Sequence, residues 1–163
     1  MNYLLHALPI GIGATAVMDL WGALRQPLFG FARLDYALIG RWVGWMARGR
    51  FRHDAIARAE PVRGERVFGW SVHYLIGIGF AALLLVITGA DWLRQPTIAP
   101  ALLVGIGTTA APLLIMQPAM GAGIAASRTP RPNAARLQSL ISHTLYGLGL
   151  YLAGRLHHAL FVS

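Results

Sequence analysis

Six side chains carry the chemistry this sequence could do: Asp19, His73, Tyr74, Gln117, His143 and Tyr146. All six lie within long apolar runs, where an ionisable or polar group is expensive and normally turns inward to a partner. Asp19 lies six residues before Arg25, His73 seven after Arg66, and His143 seven after Arg136. At the helical rise these three groups sit roughly 9–10 Å beyond the nearest arginine, in one layer. Gln117 belongs at similar or somewhat greater depth, and Tyr74 and Tyr146 add hydroxyls. An aspartate with two imidazoles forms a titratable cluster, the imidazoles being the groups suited to neutral pH. Three chemistries fit them. One is a site that binds a small polar ligand or relays protons during transport. Another is a b-type haem ligated by His73 and His143, and the third is a divalent metal held by two imidazoles and a carboxylate. The alternative without chemistry is an interhelical hydrogen-bond network that only fixes packing.

The elements that must position these groups are membrane helices. The chain has 163 residues, 56% hydrophobic and 12% charged, about half the charge of a soluble domain. Four apolar stretches, at about 3–24, 67–88, 98–122 and 137–156, each approach the ~20 residues that cross hydrocarbon. The expected fold is all-α: one transmembrane domain, residues 1–163, forming a four-helix bundle. The first stretch lacks the basic leader of a signal peptide and contains Asp19, so it reads as a retained helix.

All 14 basic residues are arginines, giving a net charge of +8. Nine lie between the first two spans (Arg25, Arg33, Arg41, Arg48, Arg50, Arg52, Arg58, Arg63 and Arg66), and three between the last two (Arg128, Arg131 and Arg136). Only Arg94 and Arg155 lie on the other side. The arginine-rich side is therefore expected to be cytoplasmic and both termini outside. With no soluble domain to present it, this charge does not point to nucleic acid. Cysteine is absent, which excludes disulfides and thiolate chemistry.

Residues 34–48 of the first loop place Leu34, Leu38, Trp42 and Trp45 on one face, with Arg41 and Arg48 on another. This pattern predicts an amphipathic helix in the membrane interface, its arginines among lipid phosphates. Beyond it, His53, Asp54, Glu60 and Glu65 lie among arginines, either solvated or closing the cytoplasmic mouth. On the opposite side, His6, Asp91, His157 and His158 read as surface residues without a role.

The chain also repeats itself. Residues 7–16 and 101–110 agree at seven of ten positions, and residues 73–79 and 143–149 share a histidine, a leucine and two glycines. Two tandem helical hairpins are expected, in halves 1–90 and 91–163, related by an axis along the membrane normal. Small residues four apart, Gly11, Thr15 and Asp19, then form a close-packing stripe that continues into the polar layer. Pro112 and Pro118 are expected to bend the third span and free backbone carbonyls. The glycine- and serine-rich run 117–130 could bind an anion, though without phosphate-loop spacing. No nucleophile elbow, zinc-protease motif or dinucleotide fingerprint is present, so nothing points to an enzyme.

The segments Gly40-Arg-Trp-Val-Gly44, Gly49-Arg-Phe-Arg-His53, Gly64-Glu65, Gly69-Trp-Ser-Val-His-Tyr74 and Gln117-Pro-Ala-Met-Gly-Ala-Gly123 resemble a family of small bacterial inner-membrane proteins described only as a domain of unknown function. The resemblance covers nearly the whole chain. It implies a bacterial inner membrane and no activity. The expected partners are lipid, a small polar ligand and further copies or subunits in the membrane. The expected function is transport or ligand binding at the Asp/His/Gln layer. A haem- or metal-bearing redox protein and a structural accessory subunit remain as alternatives.

Overall fold

The computed structural model describes residues 3–30 and 34–161; Arg33, counted above among the loop arginines, lies outside them. Among the described residues every regular element is helical. Helix α1 spans Tyr3–Phe29, α2 Tyr36–Met46, α3 Glu65–Thr88, α4 Ala90–Arg94, α5 Ile98–Gly107, α6 Gln117–Ala119 and α7 Pro132–Phe161. Short 3₁₀ turns occupy Ile56–Arg58 and Ile124–Ala126, and a π-helical segment runs through Ala111–Met116.

Three stretches are long and apolar enough to cross a membrane: Tyr3–Phe29, Glu65–Thr88 and Ile98–Ala119. Only 22–28% of each one's most apolar window is buried within the chain. The outward residues include Leu8, Ile12, Leu75, Val86, Ile87, Leu103 and Ile115. An exposed apolar surface of this extent suits hydrocarbon and not water, so the chain has the make-up of a membrane protein. Helix α7 is longer than any of the three but less apolar, because Gln138, Ser139, Ser142, His143 and Thr144 interrupt its leucines.

The contacts divide the chain into two compact units. The first comprises residues 1–33, 74–108 and 141–163. Its core is Ala7, Ile10, Ala14, Ala81, Leu84, Leu85, Trp92, Leu93, Ala101, Tyr146 and Leu150. Small residues set its helix crossings. A Cβ on Gly11 would strike the α3 backbone at Gly77 and Ile78, and one on Gly105 would strike the α7 backbone at Gly147 and the His143 carbonyl. Without water to expel, such close backbone approach is what holds helices together in lipid. Helix α1 continues past the expected end at residue 24, so Arg25 is a buried helical residue rather than a loop charge.

The second unit comprises residues 34–73 and 109–140. Asp35 caps α2 by accepting from the Ala37 amide, as short acceptor side chains do at helix N-termini. Helix α2 then crosses the start of α3 at Gly40 and Gly69, where any side chain would meet backbone. The loop that follows is tied down by main-chain bonds, the amides of His53 and Ile56 donating to the carbonyls of Ala119 and Met120.

The α2 side chains expected at the lipid interface have partners within the chain, Arg41 foremost. Its guanidinium makes a two-pronged ion pair with Glu65 at 2.8 Å on each prong and donates to the carbonyls of Ala57 and Ala59. Trp42 donates to the Phe51 carbonyl and Trp45 to the Glu60 carbonyl. Arg48 lies over the Trp45 ring at 5.0 Å. A planar guanidinium matches a carboxylate so well that Glu65, 24 residues on, captures Arg41. The sequence pattern of an amphipathic helix does not reveal that competitor.

Candidate functional site

The first unit holds four of the six candidate residues: Asp19, Tyr74, His143 and Tyr146. Asp19 stands on α1 one turn beyond Thr15, whose hydroxyl bonds back to the Gly11 carbonyl at 2.8 Å and so spends its own polarity locally. Tyr74 and Asp19 form a hydrogen-bonded pair between α3 and α1. The Asp19 carboxylate therefore has a phenol partner inside an apolar helix pair. His143 Nδ1 lies 3.0 Å from the Thr108 hydroxyl, which also donates to the Gly105 carbonyl at 2.7 Å. Tyr146 is buried and donates to the Gly77 carbonyl at 2.6 Å. That bond joins α7 to α3 through the Tyr146 hydroxyl proton.

The second unit holds the other two, His73 and Gln117. The His73 ring stacks on Tyr36 of α2 at 4.3 Å between centroids and meets Trp70 edge-on at 5.9 Å. Gln117 is half-buried. Its amide nitrogen reaches the Ser139 hydroxyl at 3.5 Å, while its Oε1 is buried with no hydrogen-bond partner. Thr109 is buried and its hydroxyl likewise has none. Between these two oxygens the backbone changes from α to π-helical register at Ala111–Met116. Pro112 cannot donate an amide, and a π segment in a membrane helix commonly marks a functional position. Leaving two oxygens unsatisfied here is costly unless water or a ligand completes them.

The chain belongs to the family described as "Protein of unknown function (DUF2938)". Its family model matches residues 8–157. Neither a curated protein nor a solved structure matches the chain. Membership in DUF2938 agrees with the resemblance read from the motifs and adds no activity, so chemistry must come from the residues. Among the described residues, no three His, Asp or Glu side chains come together as a metal would require.

Several important residues escaped the sequence reading. Thr108 and Tyr36, the neighbours of the two histidines, carry no motif and could be found only by knowing which helices touch. His6 and His157 were expected to be solvated, yet His6 Nδ1 lies 2.8 Å from His157 Nε2 and His157 is only 7% exposed. His158 Nδ1 sits 3.1 Å from the Leu93 carbonyl. Residue 6 and residues 157–158 fall near opposite chain ends on adjoining helices, a proximity the duplicated-hairpin pattern hints at without fixing phase. In the run 117–130, Ala125 and Ala126 adopt left-handed backbone angles, φ 49° and 60°. The Ala125 carbonyl accepts from Arg136, so this turn presents an acceptor to an arginine rather than donors to an anion.

Proposed function

We propose that this chain is a four-span protein of a bacterial inner membrane, with both termini periplasmic, that binds a small polar solute and couples its movement to protons. The observation that carries the reading is the break in the third span. Two buried, unpartnered oxygens, on Thr109 and Gln117, flank a π-helical segment in an otherwise apolar helix. Irregular backbone at membrane depth is tolerated where it lines a polar cavity. Gln117 and Thr109 are the groups that hold the solute, with His73 in the same unit. Asp19, held by Tyr74, is the proton-binding group, and His143 is the second titratable side chain of its unit.

Helix α7 serves as the fourth span. Its polar residues Ser142, Tyr146 and His157 are buried, while Leu137, Leu140, Leu152, Leu156 and Leu160 are exposed. Averaged hydropathy therefore understates how apolar its outer face is. The two glycine crossings at equivalent repeat positions, Gly11 with Gly77 and Gly105 with Gly147, favour descent from a duplicated hairpin. The exposed apolar faces suit homo-oligomers or a larger membrane complex.

The test uses proteoliposomes loaded with a pH-sensitive dye and challenged with amino acids, sugars, amines and carboxylates. The expected result is solute-dependent proton entry that falls about tenfold or more in Asp19→Asn and disappears in Gln117→Leu. Vesicles no more permeable than empty ones, or flux indifferent to both substitutions, would overturn the proposal. A Soret band lost in both His73→Ala and His143→Ala would replace it with the haem reading.

A further inference from the structure

A second polar site lies in the loop between α2 and α3, lined by none of the residues just assigned. A cavity of about 520 Å³ is lined by Trp45, Arg50, His53, Asp54, Arg58 and Glu60, within the ~300–1,000 Å³ range of small-molecule sites. Every one of these residues belongs to the second unit. His53 is only 6% exposed, and both of its ring nitrogens are buried without a hydrogen-bond partner. The backbone of Arg50 lies beside the ring. Burial, and then the charge of Arg50, push the His53 pKa down, so the imidazole is neutral. A neutral imidazole offers one donor and one acceptor, and leaving both unmet in a buried ring is costly.

The rest of the lining says what would meet them. Arg50 is held against the Trp45 ring at 5.7 Å, and Arg58 adds a second positive charge. Asp54 and Glu60 add two negative ones. Among the described residues, no ion pair joins these four side chains. A purely anionic ligand would sit against Asp54 and Glu60, and a purely cationic one against Arg50 and Arg58. A zwitterion satisfies both pairs and also both nitrogens of His53: a phosphate oxygen accepts from the ring N–H while an ammonium donates to the other nitrogen.

We propose that this cavity binds a phosphoethanolamine group, its phosphate between Arg50, Arg58 and the His53 N–H and its ammonium beside Asp54 and Glu60. The same chemistry reaches the site either as the headgroup of phosphatidylethanolamine or as free phosphoethanolamine. The inference does not rest on the transport proposal, since it uses none of the same residues.

The experiment compares binding by the full-length, delipidated protein in detergent. Native mass spectrometry measures retention of phosphatidylethanolamine against phosphatidylglycerol, and calorimetry measures soluble phosphoethanolamine against inorganic phosphate. Preference for the ethanolamine-bearing member in either arm supports the site, and the arm that shows it identifies the source. Arg58→Ala and Asp54→Asn, both at exposed positions, should preserve the thermal unfolding profile. Each should weaken binding roughly tenfold, and Asp54→Asn should also erase the preference for the amine. The His53 ring resonance, identified through His53→Gln, should shift on titration with phosphoethanolamine in the wild-type protein. No preference in either arm, affinity unchanged in Arg58→Ala, or a silent His53 resonance would each overturn the proposal.

Discussion

The two hairpins share their backbone contact and differ in their polar one. Gly11 meets α3 at Gly77, and Gly105 meets α7 at Gly147, at matching positions of the repeat. One turn before those glycines, His143 finds the Thr108 hydroxyl. The residue matching Thr108 in the first half is Ala14, which has no hydroxyl to offer. His73 instead lies against Tyr36, an aromatic supplied by α2, an element with no counterpart in the second half. Close packing between helices tolerates little change, because a single added methyl collides with backbone. A hydrogen-bond partner is worth less to stability and can be exchanged for a ring face. The two segments thus match at their glycines and differ around their histidines.

The largest test of this contrast is steric. Gly11→Leu and Gly105→Leu should each destabilise the detergent-solubilised protein by more than about 3 kcal/mol, with similar losses for both, followed by circular dichroism on heating. Unequal losses would show that the two crossings are not equivalent. The next effect belongs to the element that only the first half has. Arg41→Ala strips Glu65 of its partner while both side chains are largely enclosed, 12% and 17% exposed, and should cost about 2–4 kcal/mol. Limited proteolysis of the loop at residues 47–64 should accelerate with it.

Smaller effects probe the polar partners. Tyr146→Phe, which removes the bond to the Gly77 carbonyl, should cost about 1–2 kcal/mol. Thr108→Val should cost less, about 0.6 kcal/mol for one interhelical bond. It should move the ring resonances of His143 and leave those of His73 where they are. Tyr36→Leu should do the reverse. The weakest effect is a pH slope from His53. Burial lowers its folded-state pKa below the ordinary 6.5, so the unfolded chain takes up a proton that the folded chain resists. Stability is then complete above about pH 6.5 and falls below it, by at most about 1.4 kcal/mol per pH unit for one group. Replacing His53 with Gln should remove that component from the stability–pH curve and leave any contribution of the other histidines.

Helical class and the make-up of a membrane protein were legible along the chain because each is a property of composition or period. Long uncharged stretches can satisfy their amides in lipid only as helices, and the shared Gly-Ile-Gly spacing survives in plain view. An irregularity in the third span also reads directly, since Pro112 removes a donor and the backbone there is π-helical. The fate of individual polar side chains was not legible. Nothing along the chain pairs Arg41 with Glu65, and His6 and His157 looked solvated although they are 151 residues apart and in contact.

The sequence by itself determined which segments are apolar enough to enter hydrocarbon and which residue types must hide there, because the cost of an exposed amide or charge depends only on the local solvent. Tertiary structure alone decided who meets whom. Helix phase and crossing angle fix whether a histidine finds a hydroxyl, a phenol ring or another histidine, and those angles come from glycine contacts between segments far apart in the chain.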